Sequence, residues 1–138
     1  MKNADIRNWI IKAENDLKAS RDLINSENPV TDSICFHAQQ CVEKYLKAYL
    51  IYNGIGITKT HDITQLIENC IKNDNNFNYL YTIKADGLTI YAVEIRYPDD
   101  FYLPSIEEAR DSIAIAEKVK YFVTDKLKNQ GFVLHDQQ

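Results

Sequence analysis

Apolar residues recur at helical spacing along most of the chain, most fully in Cys35-Phe-His-Ala-Gln-Gln-Cys-Val-Glu-Lys-Tyr-Leu-Lys-Ala-Tyr-Leu50. At roughly 100° per residue, Ile34, Ala38, Cys41, Val42, Tyr45, Leu46, Ala48 and Tyr49 share one broad face. His37, Gln40, Lys44 and Lys47 form a separate polar stripe. The pattern predicts a long helix that Thr31 or Asp32 can cap and that continues to about Asn53, before Gly54 and Gly56 let the chain reverse. Two readings of the stripe stand side by side. It is a solvated face, or it is a ridge whose imidazole, amide and ammonium groups meet an anion, a phosphate or a partner surface.

The same periodicity places the other elements. Ile6, Ile10, Ala13, Leu17, Ser20 and Ile24 predict a first helix from about Ala4 to Ser26, stopped by Asn25-Ser-Glu-Asn-Pro29. Asp62 with Gln65 resembles a capping box for a shorter helix carrying Ile63, Leu66, Ile67 and Cys70, although Thr60 can also cap it. After the asparagine-rich stretch 72–78, Leu80, Ile83, Leu88, Tyr91, Ala92 and Ile95 predict a helix over about Tyr79–Ile95. Gly87 either weakens that helix or permits close packing, and Leu88-Thr-Ile-Tyr-Ala-Val also has strand character. Two prolines interrupt Arg96–Pro104, and Ser105 with Glu108 opens a last helix to about Leu127. Its apolar surface is broad enough to serve both a core and a second subunit. The expected fold is all-α: an antiparallel up-and-down four-helix bundle with an additional short helix, one domain over 1–128 and a flexible tail over 129–138.

Composition narrows the partners. The 138 residues suffice for one domain with a real core. Sixteen basic against twenty acidic residues leave a formal charge of −4, which argues against strong duplex DNA binding through a basic surface but leaves local recognition of RNA or a nucleotide open. No run reaches the eighteen or so uncharged residues of a membrane span, so the expectation is a cytoplasmic protein with no membrane partner. Cys35, Cys41 and Cys70 form no C-x-x-C pair and are expected to be buried, with no metal site and no cofactor.

The densest cluster of candidate chemistry is Arg96-Tyr97-Pro98-Asp99-Asp100-Phe101-Tyr102. Arginine offers a planar fork to a phosphate, tyrosines offer stacking surfaces to a base, and the carboxylates can take a cation or accept hydroxyl protons. A structural account also holds: Arg96 answers its helix end or pairs with Asp99 or Asp100, while the tyrosines fill the bundle end. His61 stands at a helix start, where it either closes the loop or meets an anion. His37, Gln40 and Lys44 complete the candidate binding residues.

Trp9 with Ala13 and Asp16-Leu17, then Cys35-Phe-His-Ala-Gln-Gln with Glu43-Lys-Tyr-Leu-Lys-Ala, then Lys59-Thr-His-Asp62, then Arg96-Tyr-Pro-Asp-Asp100 resemble the HEPN domain of bacteria and archaea across nearly the whole chain. The resemblance implies a helical bundle that dimerises, binds a nucleotide or RNA, and is often paired with a small nucleotidyltransferase in a toxin–antitoxin-type module. Many such proteins are metal-independent ribonucleases whose arginine is followed four to six residues later by a histidine. Here Arg96 stands in the matching place, but Asp100, Phe101 and Tyr102 occupy the histidine positions. Binding without cutting is therefore the leading expectation. The alternatives are an endoribonuclease in which His37 or His61 replaces the missing histidine, and a purely structural interaction module. Tyr102 also resembles, one position short in spacing, a tyrosine that the nucleotidyltransferase modifies in some of these toxins.

Overall fold

The computed structural model of the chain describes residues 2–57, 59–92 and 102–133, with side chains from residue 5 onward. Five α-helices are formed: α1 (Lys2–Ile24), α2 (Thr31–Tyr52), α3 (Ile63–Asn73), the single turn α4 (Tyr79–Thr82) and α5 (Ile106–Asn129). Two 3-10 segments, Asn75–Asn78 and Ala85–Tyr91, flank α4. No strand is present among the described residues.

Side-chain pairs fix the directions. Ser20 donates to the Ile34 carbonyl at 2.8 Å and the Tyr45 hydroxyl donates to Glu14, so α1 and α2 run antiparallel. Arg21 bonds Glu117 through Nε and Nη2 at 2.9 and 2.8 Å, and Lys120 bonds Glu14 at 3.0 Å, so α5 is antiparallel to α1. The strap from Asn75 to Tyr91 begins beside Phe122, where Phe77 meets it edge-on at 4.9 Å, and ends where the Tyr91 hydroxyl reaches Glu108. It therefore runs against α5. The order up, down, up, down is that of the expected bundle, with α3 as the additional short helix.

Helix α2 is the centre of this arrangement. Ile34, Cys35, Ala38, Cys41, Val42, Tyr45, Leu46, Ala48, Tyr49 and Leu50 are all buried, because α1, α3, α5 and the strap each pack on it. Each large apolar side chain removed from water there contributes roughly 1.5–3 kcal/mol. The buried tyrosine hydroxyls are satisfied: Tyr45 by Glu14, and Tyr49 by the Asn73 amide at 2.8 Å.

Several local expectations change. The helix expected over Tyr79–Ile95 is not continuous, because Lys84 takes a left-handed conformation at φ 64° and breaks it into one α-turn and a 3-10 segment. Leu80, Leu88 and Tyr91 are nonetheless buried, so the apolar pattern was satisfied without a regular helix. Gly87 has open space where a Cβ would stand, so close packing does not account for it. Neither Thr31 nor Asp32 caps α2; Val30 holds the cap position without a side-chain bond, and Thr31 is buried. Asp62 does cap α3, accepting from the Thr64 amide at 3.0 Å, and Ser105 caps α5, accepting from Glu108 at 3.0 Å. Residues 129–132, which were expected to belong to a tail, turn back onto the bundle. Gly131 turns the chain at φ 97°, the Phe132 amide returns to the Leu127 carbonyl at 2.9 Å, and the Phe132 ring is buried edge-on against Tyr52.

A lysine in the left-handed region carries a steric cost of about 1–2 kcal/mol that glycine avoids, offset by roughly 0.5–1 kcal/mol of extra chain entropy. Lys84→Gly should therefore raise the urea midpoint, by up to about 1 kcal/mol in unfolding free energy. A clear destabilisation would show that the Lys84 side chain holds the strap in place.

Candidate functional site

The polar stripe of α2 faces neither bulk solvent nor an open anion site. It is the spine of two carboxylate-centred networks. In the first, Asp16 of α1 takes His37 Nδ1 on one oxygen at 2.8 Å and the Lys44 ammonium on the other. In the second, Glu43 is 4% exposed and collects Lys47 at 2.8 Å, His61 Nδ1 at 2.9 Å and Gln39 at 3.1 Å. Gln40 donates to the Gln39 side-chain oxygen at 2.7 Å, and Gln39 also donates to the His61 carbonyl at 3.2 Å. Lys47, itself 6% exposed, lies over the Trp9 ring at 5.8 Å.

Isolated charges at such depth would be costly, so the network geometry decides whether they are tolerated. Burial alone pushes the Glu43 carboxyl up, but the hydrogen bonds from Lys47, His61 and Gln39 outweigh it and hold the group below its ordinary value. Glu43 is therefore a carboxylate at neutral pH, and a carboxylate only accepts. His61 Nδ1 must then carry the proton it shares with Glu43. That leaves Nε2 for other work, on a side chain that is 66% exposed. His37 has the same relation to Asp16 but is much less accessible. Orientation of an imidazole by a carboxylate on one nitrogen is what acid–base chemistry on the other requires.

A third carboxylate marks the flanks of the Arg96 stretch. Tyr91 and Tyr102 both donate to Glu108, so the last described turn before residue 93 and the first described residue after 101 meet at one side chain. Burial and the bond to Glu108 push the Tyr91 hydroxyl pKa up; for Tyr102 the Glu108 bond acts first. The root of the stretch is also tied towards His61, because Thr89 Oγ1 accepts from the Ile63 amide at 3.0 Å. Arg96, Tyr97, Asp99 and Asp100 lie outside the described residues.

The remaining expectations are placed as follows. His37 and Lys44 share Asp16, while His61 and Gln40 belong to the Glu43 network, so the predicted residues fall into two clusters. Their charges are met by carboxylates, and the solvent edge of His61, on the loop before α3, stays open. Asp16, Gln39, Glu43 and Glu108 were not among the candidate binding residues, Glu108 having been read only from its capping pattern. Glu43 has a local signal in its i, i+4 spacing to Gln39 and Lys47; Asp16 meets His37 across 21 residues of chain and His61 meets Glu43 across 18. All three cysteines are buried, and burial pushes each thiol pKa up, so none is an activated nucleophile. No group of metal-ligating side chains occurs among the described residues.

Residues 6–127 match the family described as the HEPN domain. The chain belongs to the HEPN family. A curated relative, "Putative toxin MJ1304" of Methanocaldococcus jannaschii, is 32% identical over 136 residues, covering 88% of each chain. A crystal structure of "ST0689, an archaeal HEPN homologue" superposes with a TM-score of 0.69 at 26% identity, covering 88% of this chain and 97% of the other. The sequence phrases that suggested a HEPN domain now have a physical basis. Glu43 and His61 meet in one network, and Lys44 meets Asp16 of the first helix in the other. No helix among the described residues of this HEPN chain is long and apolar enough to cross a membrane.

Glu43 gives this network a pH signature. Its folded-state pKa lies below the unfolded value, so its stabilising contribution is complete above about 4.5, the ordinary value, and is lost as pH falls through the folded value. Urea midpoints measured from pH 7 to pH 3 should fall more steeply for the wild type than for Glu43→Gln, which should be less stable at pH 7. Parallel curves would contradict the assignment.

Proposed function

We propose that this HEPN protein is the RNA- or nucleotide-binding member of a toxin-type module, acting as a homodimer with a small nucleotidyltransferase partner. The observation that carries the binding reading is the Glu43–His61 pair, in which a buried carboxylate fixes an exposed imidazole. Arg96 supplies the planar fork for phosphate, and Tyr97 and Tyr102 offer faces for a base. The relative named as a toxin supports the toxin-type setting. Asp99 and Asp100 offer carboxylates that can accept ribose hydroxyl protons, and Tyr102, whose hydroxyl is held by Glu108, is the modification candidate for the partner.

A second reading is favoured by the same pair. With Nδ1 committed to Glu43, His61 can take the proton of a ribose 2′-hydroxyl through Nε2 while Arg96 steadies the phosphate. The 2′-oxygen bonds to phosphorus, the P–O5′ bond breaks and the 5′-oxygen leaves with a proton from water, giving metal-independent RNA cleavage. His37, shielded beside Asp16, is the weaker choice for that role.

RNA binding and cleavage measured in EDTA with wild type, Arg96→Ala and His61→Gln separate these readings. The binding proposal expects Arg96→Ala to weaken RNA association roughly tenfold or more, the worth of a charge-assisted hydrogen bond. Unchanged association would refute it. Cleavage by wild type that both substitutions abolish establishes the ribonuclease reading; equal background in all three rejects it and leaves binding intact.

A further inference from the structure

A groove of about 830 Å³ lies on the outer face of α5, at the end of that helix away from Glu108. Its floor is aromatic. Tyr79 stacks on Phe122 at 5.2 Å with the ring planes 29° apart, and Tyr121, 63% exposed, stands beside them. Lys118, Lys126 and Lys128 line the same groove, against one acid, Asp125. Lys126 is held by Asp74 at 2.7 Å and lies over the Phe122 ring at 5.4 Å. Lys118 and Lys128 are exposed and have no carboxylate partner among the described residues.

The lining therefore carries a surplus of positive charge on a chain whose formal charge is −4. A second copy of the chain docking here about a twofold axis would set these lysines against their own copies, which is unfavourable. The exposed rings of Tyr79 and Tyr121, beside the unpaired Lys118 and Lys128 ammonium groups, instead fit a single-stranded polynucleotide, whose bases stack on the rings while its phosphates meet the lysines. A duplex, with its bases already stacked on one another, offers no such faces.

We infer that the Tyr79–Tyr121–Phe122 groove, flanked by Lys118 and Lys128, binds single-stranded nucleic acid as a second contact region for the RNA read at His61 and Arg96. Tyr121 lies thirteen residues along α5 from Glu108, about 20 Å at 1.5 Å per residue, a length that several nucleotides of one strand cover. This deepens the RNA-binding proposal and rests on it only for the identity of the strand.

Fluorescence anisotropy with a labelled twelve-nucleotide RNA, the matching DNA strand and the annealed duplex, at several salt concentrations, tests the groove on the full chain. Lys118→Gln with Lys128→Gln should flatten the log–log salt dependence by about 1.4, from roughly 0.7 per phosphate contact. Tyr121→Ala should weaken single-strand binding roughly tenfold, and Tyr121→Phe, which keeps the ring, should restore it. Equal loss for RNA and DNA strands is expected, since neither rings nor lysines read the 2′-hydroxyl. Unchanged affinity and salt slope in these variants overturns the inference, as does tighter binding of the duplex. So does sedimentation showing that the substitutions dissolve an oligomer while strand binding persists. Arg96→Ala distinguishes the two regions. If the groove variants bind normally and Arg96→Ala does not, only the groove fails; the reverse pattern removes Arg96 and keeps the groove.

Discussion

A carboxylate buried at the centre of a helical bundle is the constraint on which this structure depends. Glu43 cannot remain charged in the core without donors, and the donors come from two places: Lys47, Gln39 and Gln40 on its own helix, and His61 from the start of α3. The chain between Asn53 and Asp62 must therefore travel back along α2 before α3 can begin. Removing one partner would leave the others with uncompensated buried polarity, which is more costly than never having built the network. Asp16 repeats the logic one helix over, between His37 and Lys44. The packing of α1 and α3 against α2 is thus set by charge pairing as well as by apolar area.

That constraint also prepares chemistry. An exposed histidine on a loop ordinarily rotates and changes tautomer freely, but His61 is held at Nδ1 by a carboxylate that stays ionised, and its backbone carbonyl is held by Gln39. The result is an oriented Nε2 at the surface. The same structure hands the root of the Arg96 stretch towards this region through Thr89 and gathers its two flanks on Glu108. With Asp100, Phe101 and Tyr102 four to six residues after Arg96, the chain still presents an imidazole fixed in place on another loop.

The fold was largely legible in the sequence because helix periodicity and capping are local signals. The long α2, the Asp62 and Ser105 caps and the membership of Leu80, Leu88 and Tyr91 in the core all follow from patterns within a few turns. What the pattern does not encode is continuity, and Lys84 shows why. Apolar spacing specifies which side chains are buried, whereas the break depends on one residue entering the left-handed region under tertiary packing. Phe132 likewise looks like tail until Gly131 turns it back onto Tyr52. The site was less legible. The polar residues of α2 were visible as a stripe, but their meaning depends on Asp16 and His61, which meet them across 21 and 18 residues. A stripe that reads as wet or as anion-seeking is instead mostly paired with acids.

The central claim is that buried, ionised Glu43 fixes the tautomer and orientation of His61 and leaves Nε2 as its working edge. Long-range proton–nitrogen NMR of the labelled histidines reads this directly. At a pH where His61 is neutral, the account predicts a protonated Nδ1 and an unprotonated Nε2, and on adding RNA a change at Nε2 while Nδ1 keeps its Glu43 signature. A proton resident on Nε2, or a tautomer unaffected by Glu43→Gln, would contradict it.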